Sequence, residues 1–151
     1  MVHLTSAMRK LIDDGLGFFA TINDDGTPNL SPKGTIAVWS ENQVVFADMA
    51  SPRTSANLER RPAIAVNVVD PLSRRGCRIR GRGVVHRSGP EFERIVDFYR
   101  RRGTKRARER IVAAVVVDID EVSELISPAY ALGATEAELR DLYRRRLLDR
   151  R

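Results

Sequence analysis

One short polar stretch constrains the fold of this chain more than any other: Asn23-Asp24-Asp25-Gly26-Thr27-Pro28, set between two β-rich runs. Asp-Gly supplies the positive-φ positions of a tight reversal, and proline closes the stretch to any helix crossing it. Leu16–Ile22 on one side is dense in apolar and aromatic residues, the pattern of a buried strand. A second strand is expected through Asn29–Trp39, a turn at Ser40-Glu41-Asn42-Gln43, and a third strand from Val44 to Ala47. Strand, turn, strand, turn, strand is an antiparallel meander, and the rest of the chain has to cover it.

The helices announce themselves by their ends. Ser6–Asp14 places Met8, Leu11 and Ile12 at helical spacing, and Gly15 and Gly17 stop it. Ser51 suits an N-cap and Pro52 the first helical position, so a helix is expected over Pro52–Arg60, with Leu58 inward and Pro62 beyond its end. Ser88 with Glu91, and Thr135 with Glu138, have capping-box spacing. The first precedes a stripe of Phe92, Ile95, Val96 and Tyr99. The second opens a basic C-terminal helix, Thr135–Leu148, with Leu139, Leu142 and Leu147 on one face and an arginine-rich end reaching Arg151. Between them, Ala63–Val69, Cys77–His86 and Ile111–Ile119 read as strands, the last extended by Glu121–Ile126, and Lys105–Arg110 as a basic connector. The expectation is one domain over residues 1–151, mainly β: a six-stranded antiparallel split barrel with flanking helices.

Composition narrows the function classes. The 151 residues carry a net charge of +6, almost all of it from arginine. No zinc-ligand spacing and no run of stacking aromatics accompanies the arginines, so the charge argues for a solvated basic surface before a nucleic-acid site. No apolar run approaches the ~20 residues of a membrane span, and Met1–Ser6 lacks a signal peptide's pattern, which points to the cytoplasm. One cysteine, Cys77, excludes an internal disulfide. Beside Arg78, it leaves two readings open: a thiol activated by the cation, or a plain half-buried one. His3 and His86 show no metal-ligand spacing, and no nucleophile–base set or nucleotide-hydrolase glycine loop is visible. No metal is expected and no catalytic side chain can be named.

One constellation does suggest a ligand. Ser51-Pro52-Arg53-Thr54 opens a helix directly after a strand, where free N–H groups and the helix dipole favour an anion. Arg53 adds a planar cation and Thr54 a hydroxyl. A meander would bring Ser31-Pro32-Lys33-Gly34-Thr35 alongside, so Ser31, Lys33 and Thr35 could reach the same ligand. The same residues also fit an ordinary cap and a surface lysine.

The segments FFATINDDGTPNLSPKG, VVFADMASPRTSANLERRPAIAVNVVD and GCRIRGRGVV, followed by the helix after RSGPEFERI and the strand AAVVVDI, resemble in order and spacing the pyridoxamine 5′-phosphate oxidase-like split-barrel flavoproteins. The resemblance spans roughly residues 10–125. It implies FMN at a homodimer interface, with the phosphate held by Arg53 and Thr54. It also implies that Ser31, Lys33, Gly34 and Thr35 line the flavin and that Ala47 and Asp48 lie along its ring or ribityl chain. The implied function is an FMN-dependent oxidoreductase acting on a small molecule. Thr135–Arg151 departs from the longer C-terminal region of the pyridoxamine phosphate oxidases, which puts the vitamer substrate in doubt. A deazaflavin-dependent reductase, a flavin carrier or sensor without turnover, and a nucleic-acid-binding basic barrel are the competing readings.

Overall fold

The computed structural model describes residues 2–149; Met1, Arg150 and Arg151 fall outside the described residues. In chain order the elements are α1 (Ser6–Asp14), β1 (Gly17–Ile22), β2 (Pro28–Lys33), β3 (Ala37–Val38), β4 (Gln43–Asp48) and α2 (Pro52–Arg60). They continue with β5 (Ala63–Asp70), β6 (Arg75–His86), α3 (Gly89–Arg101), α4 (Ala107–Arg110), β7 (Ala113–Ile126), α5 (Pro128–Ala131) and α6 (Glu136–Leu147). All strands join one antiparallel sheet in the order β2-β1-β5-β6-β7-β4-β3, curled into a half-barrel with helices at its flanks, the split-barrel architecture.

The first reversal forms as its residues require. Asn23–Thr27 links Ile22 to its partner Pro28, Gly26 takes φ +82°, and Asp25 Oδ1 accepts from the Thr27 N–H. The strand expected through Asn29–Trp39 is instead two strands. β2 ends at Lys33, paired with Gly17 on one edge of the sheet, and β3 begins at Ala37, paired with Val45 on the other edge. Between them the chain passes from one sheet edge to the other, so the three-strand meander expected over Leu16–Ala47 does not form and the strand count rises from six to seven.

Two apolar clusters lie on opposite faces of the sheet. Inside the curl, Phe19, Phe46, Val66, Ile79, Val115 and Ile119 pack with α1 and Leu58 of α2, and the Phe19 and Phe46 rings are tilted against each other at 4.4 Å. On the outer face, Phe92, Ile95, Val96 and Tyr99 of α3 cover Ala37, Val45, Ala114 and Val116 of β3, β4 and β7. At Gly81 of β6 an added Cβ would stand 2.1 Å from the Asp118 carbonyl oxygen, beside the register shift that follows Arg80, so only glycine fits there.

Several local expectations need correction. Ser51 and Ser88 both hold the N-cap position, yet neither side chain makes a capping hydrogen bond. Glu91 pairs with Arg94 instead of closing a box on Ser88. The connector at Lys105–Arg110 holds the one-turn α4. The Thr135–Glu138 box forms in full, but of the leucine stripe on α6 only Leu139 is buried. Cys77 is wholly buried, and burial pushes its thiol up to about 11. An activated thiolate is therefore excluded, and the thiol behaves as a small core residue.

Candidate functional site

The sheet brings the Ser31–Thr35 segment, the end of β4 and the start of α2 together. Residues 29, 31 and 33 of β2 alternate with the exposed Pro28, Leu30 and Pro32, so Asn29, Ser31 and Lys33 turn toward α2. Ser31 Oγ lies 3.3 Å from Ser51 Oγ, at the head of the nine-residue α2, and Lys33 Nζ donates to Ser31 Oγ at 3.3 Å. Arg53 is exposed in the first turn. It and Arg60 face the Asn23–Thr27 loop across a shallow hollow of about 510 Å³. Hydrogen bonds from Thr27 hold Asp25 below the usual carboxylate range, with a smaller contribution from Arg53.

Asp48 braces the head of α2, where the Ser51 side chain makes no capping hydrogen bond. Its Oδ1 accepts from the Ser51 N–H at 2.7 Å and its Oδ2 from the Ser55 hydroxyl, with the carboxylate 1% exposed. A buried carboxylate needs a compensating charge, and Lys33 and Arg87 are both linked to it electrostatically. Burial lowers the Lys33 pKa and Asp48 partly restores it. Lys33 is thus an interior lysine, 7% exposed, with its ammonium 5.7 Å from the centre of the Phe46 ring, rather than a surface one.

Thr35 and Ala47 form a second pair. Thr35 Oγ1 donates to the Ala47 carbonyl at 2.9 Å and accepts from its N–H at 3.1 Å, so a side chain stands in for strand pairing where β2 has left the sheet. Tyr99 of α3 donates its hydroxyl to the Thr35 carbonyl. Burial raises the Tyr99 pKa, which keeps this donor protonated. Gly34 is exposed, and a Cβ there would meet open space.

Thr54 is buried rather than facing outward: its Oγ1 accepts from Asn29 Nδ2 at 3.3 Å. It belongs to a polar web that the linear reading missed. Asn29 and Asn57 both donate to Thr21 Oγ1 at 3.1 Å, and Asn57 also donates to Asn23 Oδ1 at 3.0 Å. The available signal was that Thr54, Ser55 and Asn57 put polar groups on the buried face of α2 beside Leu58. Of the eight expected residues, Ser31, Lys33 and Asp48 are linked through Ser51, Thr35 and Ala47 form a separate pair, and Thr54 belongs to the asparagine web. Arg53 reaches outward from the same helix start, and Gly34 lies open at the crossing.

Residues 4–126 match the family model for pyridoxamine 5′-phosphate oxidase. The chain belongs to that family. No curated protein matches the sequence. Among solved structures, HupZ from Group A Streptococcus is 22% identical with a TM-score of 0.73, covering 82% of this chain and 95% of that one. An FMN-binding protein from Syntrophomonas wolfei is 17% identical at a TM-score of 0.64, with 78% and 82% covered. An F420 reductase is 20% identical at 0.62, with 80% and 98% covered. These likenesses establish the fold for this member of the family. Its α5 and α6 lie beyond the matched residues.

Among the described residues no group of three or more histidine, cysteine or acidic side chains could hold a metal ion, and no helix is long and apolar enough to cross a membrane.

Proposed function

We propose that this protein binds FMN and supports electron or hydride transfer to a small molecule. The observation that carries this reading is the donor set at the head of α2: Ser31 and Ser51 hydroxyls 3.3 Å apart, Lys33 donating to Ser31, and Arg53 exposed in the same first turn on the side of the Asn23–Thr27 loop. A phosphate dianion needs such an arrangement of donors and cations. Arg53, Ser31 and Ser51 would hold the phosphate. Lys33 supplies positive charge against Asp48, which would otherwise repel an anion at this helix end. Thr54 and Asp48 act from behind, by fixing the first turn of α2, and Ala47 acts through its pairing with Thr35. The exposed Gly34 lets a ligand approach the crossing without steric hindrance. When bound, the isoalloxazine supplies the redox chemistry; this chain orients it and sets its surroundings.

The homodimer belongs to the same reading. Phe18, Ile22 and Leu30 stand 42%, 41% and 66% exposed on one face of β1 and β2, interleaved with Pro28 and Pro32. An apolar sheet face of this kind calls for a cover, and a second copy placed there would complete a cleft beside β2.

A deazaflavin is the second reading, favoured by the F420 reductase among the structural neighbours and by the +6 charge of the chain. An absorption spectrum of the protein after gel filtration with FMN separates the two. Retained absorbance near ~450 nm in a dimer-sized peak is expected, a band near ~420 nm would favour deazaflavin, and FMN eluting apart from the protein would overturn the FMN assignment.

A further inference from the structure

The start of the chain, the β5–β6 turn, the end of β7 and the start of α6 enclose a groove of about 790 Å³, with no residue of α2 in its lining. Met8, Leu11, Leu16, Val69, Leu125 and Ile126 give it an apolar lining, and Leu16 and Ile126 remain 45% and 47% exposed. This is the size of a small-molecule site.

The wall on the α6 side is built deliberately onto the barrel. Tyr130 donates its hydroxyl to the Ser73 carbonyl at 2.6 Å, and the Arg75 and Arg74 guanidinium groups lie over the Tyr130 and Tyr143 rings at 4.2 and 3.7 Å. Arg74 holds a left-handed backbone, φ 57°, in making its stack. These contacts tie a segment beyond residue 126 to the β5–β6 turn, so the groove is a property of this chain's own C-terminal segment.

The rim decides what the groove can take. Its three cations are already satisfied: Lys10 by Asp14 at 2.6 Å, Arg140 by Asp70 at 2.7 Å and Glu136 at 2.8 Å, and Arg75 by Glu136 at 3.5 Å. The fourth carboxylate, Glu124, has no hydrogen-bond or ion-pair partner among the described residues. Four carboxylates against three cations make this groove locally acidic in a chain whose net charge is +6. Among the lining residues an anion finds no unpaired cation, whereas an apolar molecule with one positive charge can lay its hydrocarbon on the lining and its cation against Glu124. The geometry points to a binding site for an apolar small molecule bearing one positive charge, held by Glu124.

The test uses octyltrimethylammonium and octanesulfonate, which share a tail and carry opposite heads, titrated below their micellar range into the ¹⁵N-labelled full chain, with and without FMN. The expected result is saturable shifts at Gly15, Leu16, Gly76 and Leu125 with the ammonium, at an affinity several-fold above that of the sulfonate. The +6 protein as a whole would favour the opposite order. Glu124→Gln should weaken the ammonium by about two- to five-fold, the scale of one exposed ion pair, and leave the sulfonate unchanged. Leu16→Glu, at an already exposed position, should reduce binding of the tail with the fold intact by its amide spectrum. Equal binding of the two probes, an unchanged ammonium affinity in Glu124→Gln, shifts confined to the Phe18–Leu30 face, or no saturable shift at all would each overturn the proposal. Because the groove residues are read separately from any FMN signal, failure here leaves the flavin assignment standing, and the reverse holds.

Discussion

The two halves of the outer sheet face make an instructive contrast. Over β3, β4 and β7, the α3 helix buries Val45, Ala114 and Val116 beneath Phe92, Ile95 and Tyr99. Over β1 and β2, residues of equal apolarity, Phe18, Ile22 and Leu30, have no helix above them. The strands are similar in composition, so the difference lies in connectivity. The segment between β6 and β7 is long enough to carry a helix back across its own half of the sheet, whereas β1 and β2 are joined by five residues, Asn23–Thr27. A chain can cover only the faces its crossovers reach, and the half it leaves bare is the half that borders the proposed flavin site.

Four substitutions or measurements bear on this contrast. The largest effect belongs under α3: Phe92→Ala should destabilise the protein by about 3–5 kcal/mol in denaturant unfolding, because the ring is 2% exposed and the cavity cannot collapse against a sheet. A loss below about 1 kcal/mol would show that the covered half is less tightly packed than its burial implies.

Arg53→Ala should come next, on the side where α2 packs against β1, β2 and β6. It should weaken FMN binding by about 1.5–3 kcal/mol, the scale of a charge-assisted hydrogen bond, with the melting temperature of the ligand-free protein unchanged. Unchanged affinity in a fluorescence titration would move the phosphate away from α2.

Leu30→Asp on the bare half should leave monomer stability within about 0.5 kcal/mol, since the residue is 66% exposed. The same change should raise the dimer dissociation constant in analytical ultracentrifugation by about tenfold or more, equivalent to ~1.4 kcal/mol. A dimer that tolerates the charge would place the partner elsewhere and leave the two halves unlike for another reason.

The smallest effect at neutral pH concerns the barrel interior, shared by both halves. The Cys77 thiol titrates at about 11 in the fold against an ordinary value of 9.0, so its folded pKa is raised. The stability linked to the neutral thiol is fully present below the unfolded value and is lost as the pH climbs from 9.0 to about 11. Alkylation at pH 8 should therefore be negligible for the native protein and rapid in denaturant; fast labelling of the native state would mean that the interior opens.

The sequence was most legible where the signal was local. Pro52 and Pro62 bracket α2, and its observed span, Pro52–Arg60, is the expected one. The Thr135–Glu138 box forms because both partners lie within one turn. The order of quoted segments led to the right family and the split barrel. What escaped was set by distant neighbours. Ser51 makes no side-chain cap, because β2 brings Ser31 within 3.3 Å of its hydroxyl while Asp48, delivered by the strand before it, holds the Ser51 N–H. For Lys33 the residues left a ligand contact and a surface lysine both open, and register with Gly17 turns it inward. Thr54 read as an open donor, but Asn29 on β2 engages it.

The sequence by itself determined the first hairpin, the helix spans and the family, since turn chemistry, capping and residue order act over a few residues and survive without any knowledge of contacts. Only the tertiary structure decided that the second strand divides at Gly34-Thr35, because its two parts pair with opposite edges of the sheet: Lys33 with Gly17 and Ala37 with Val45. The same crossing gives Thr35 to Ala47 as a substitute strand partner and lodges Lys33 beside Asp48. Backbone groups left unpaired at a crossing have to find partners wherever the closed fold supplies them, and that requirement has no expression in the linear order of the chain.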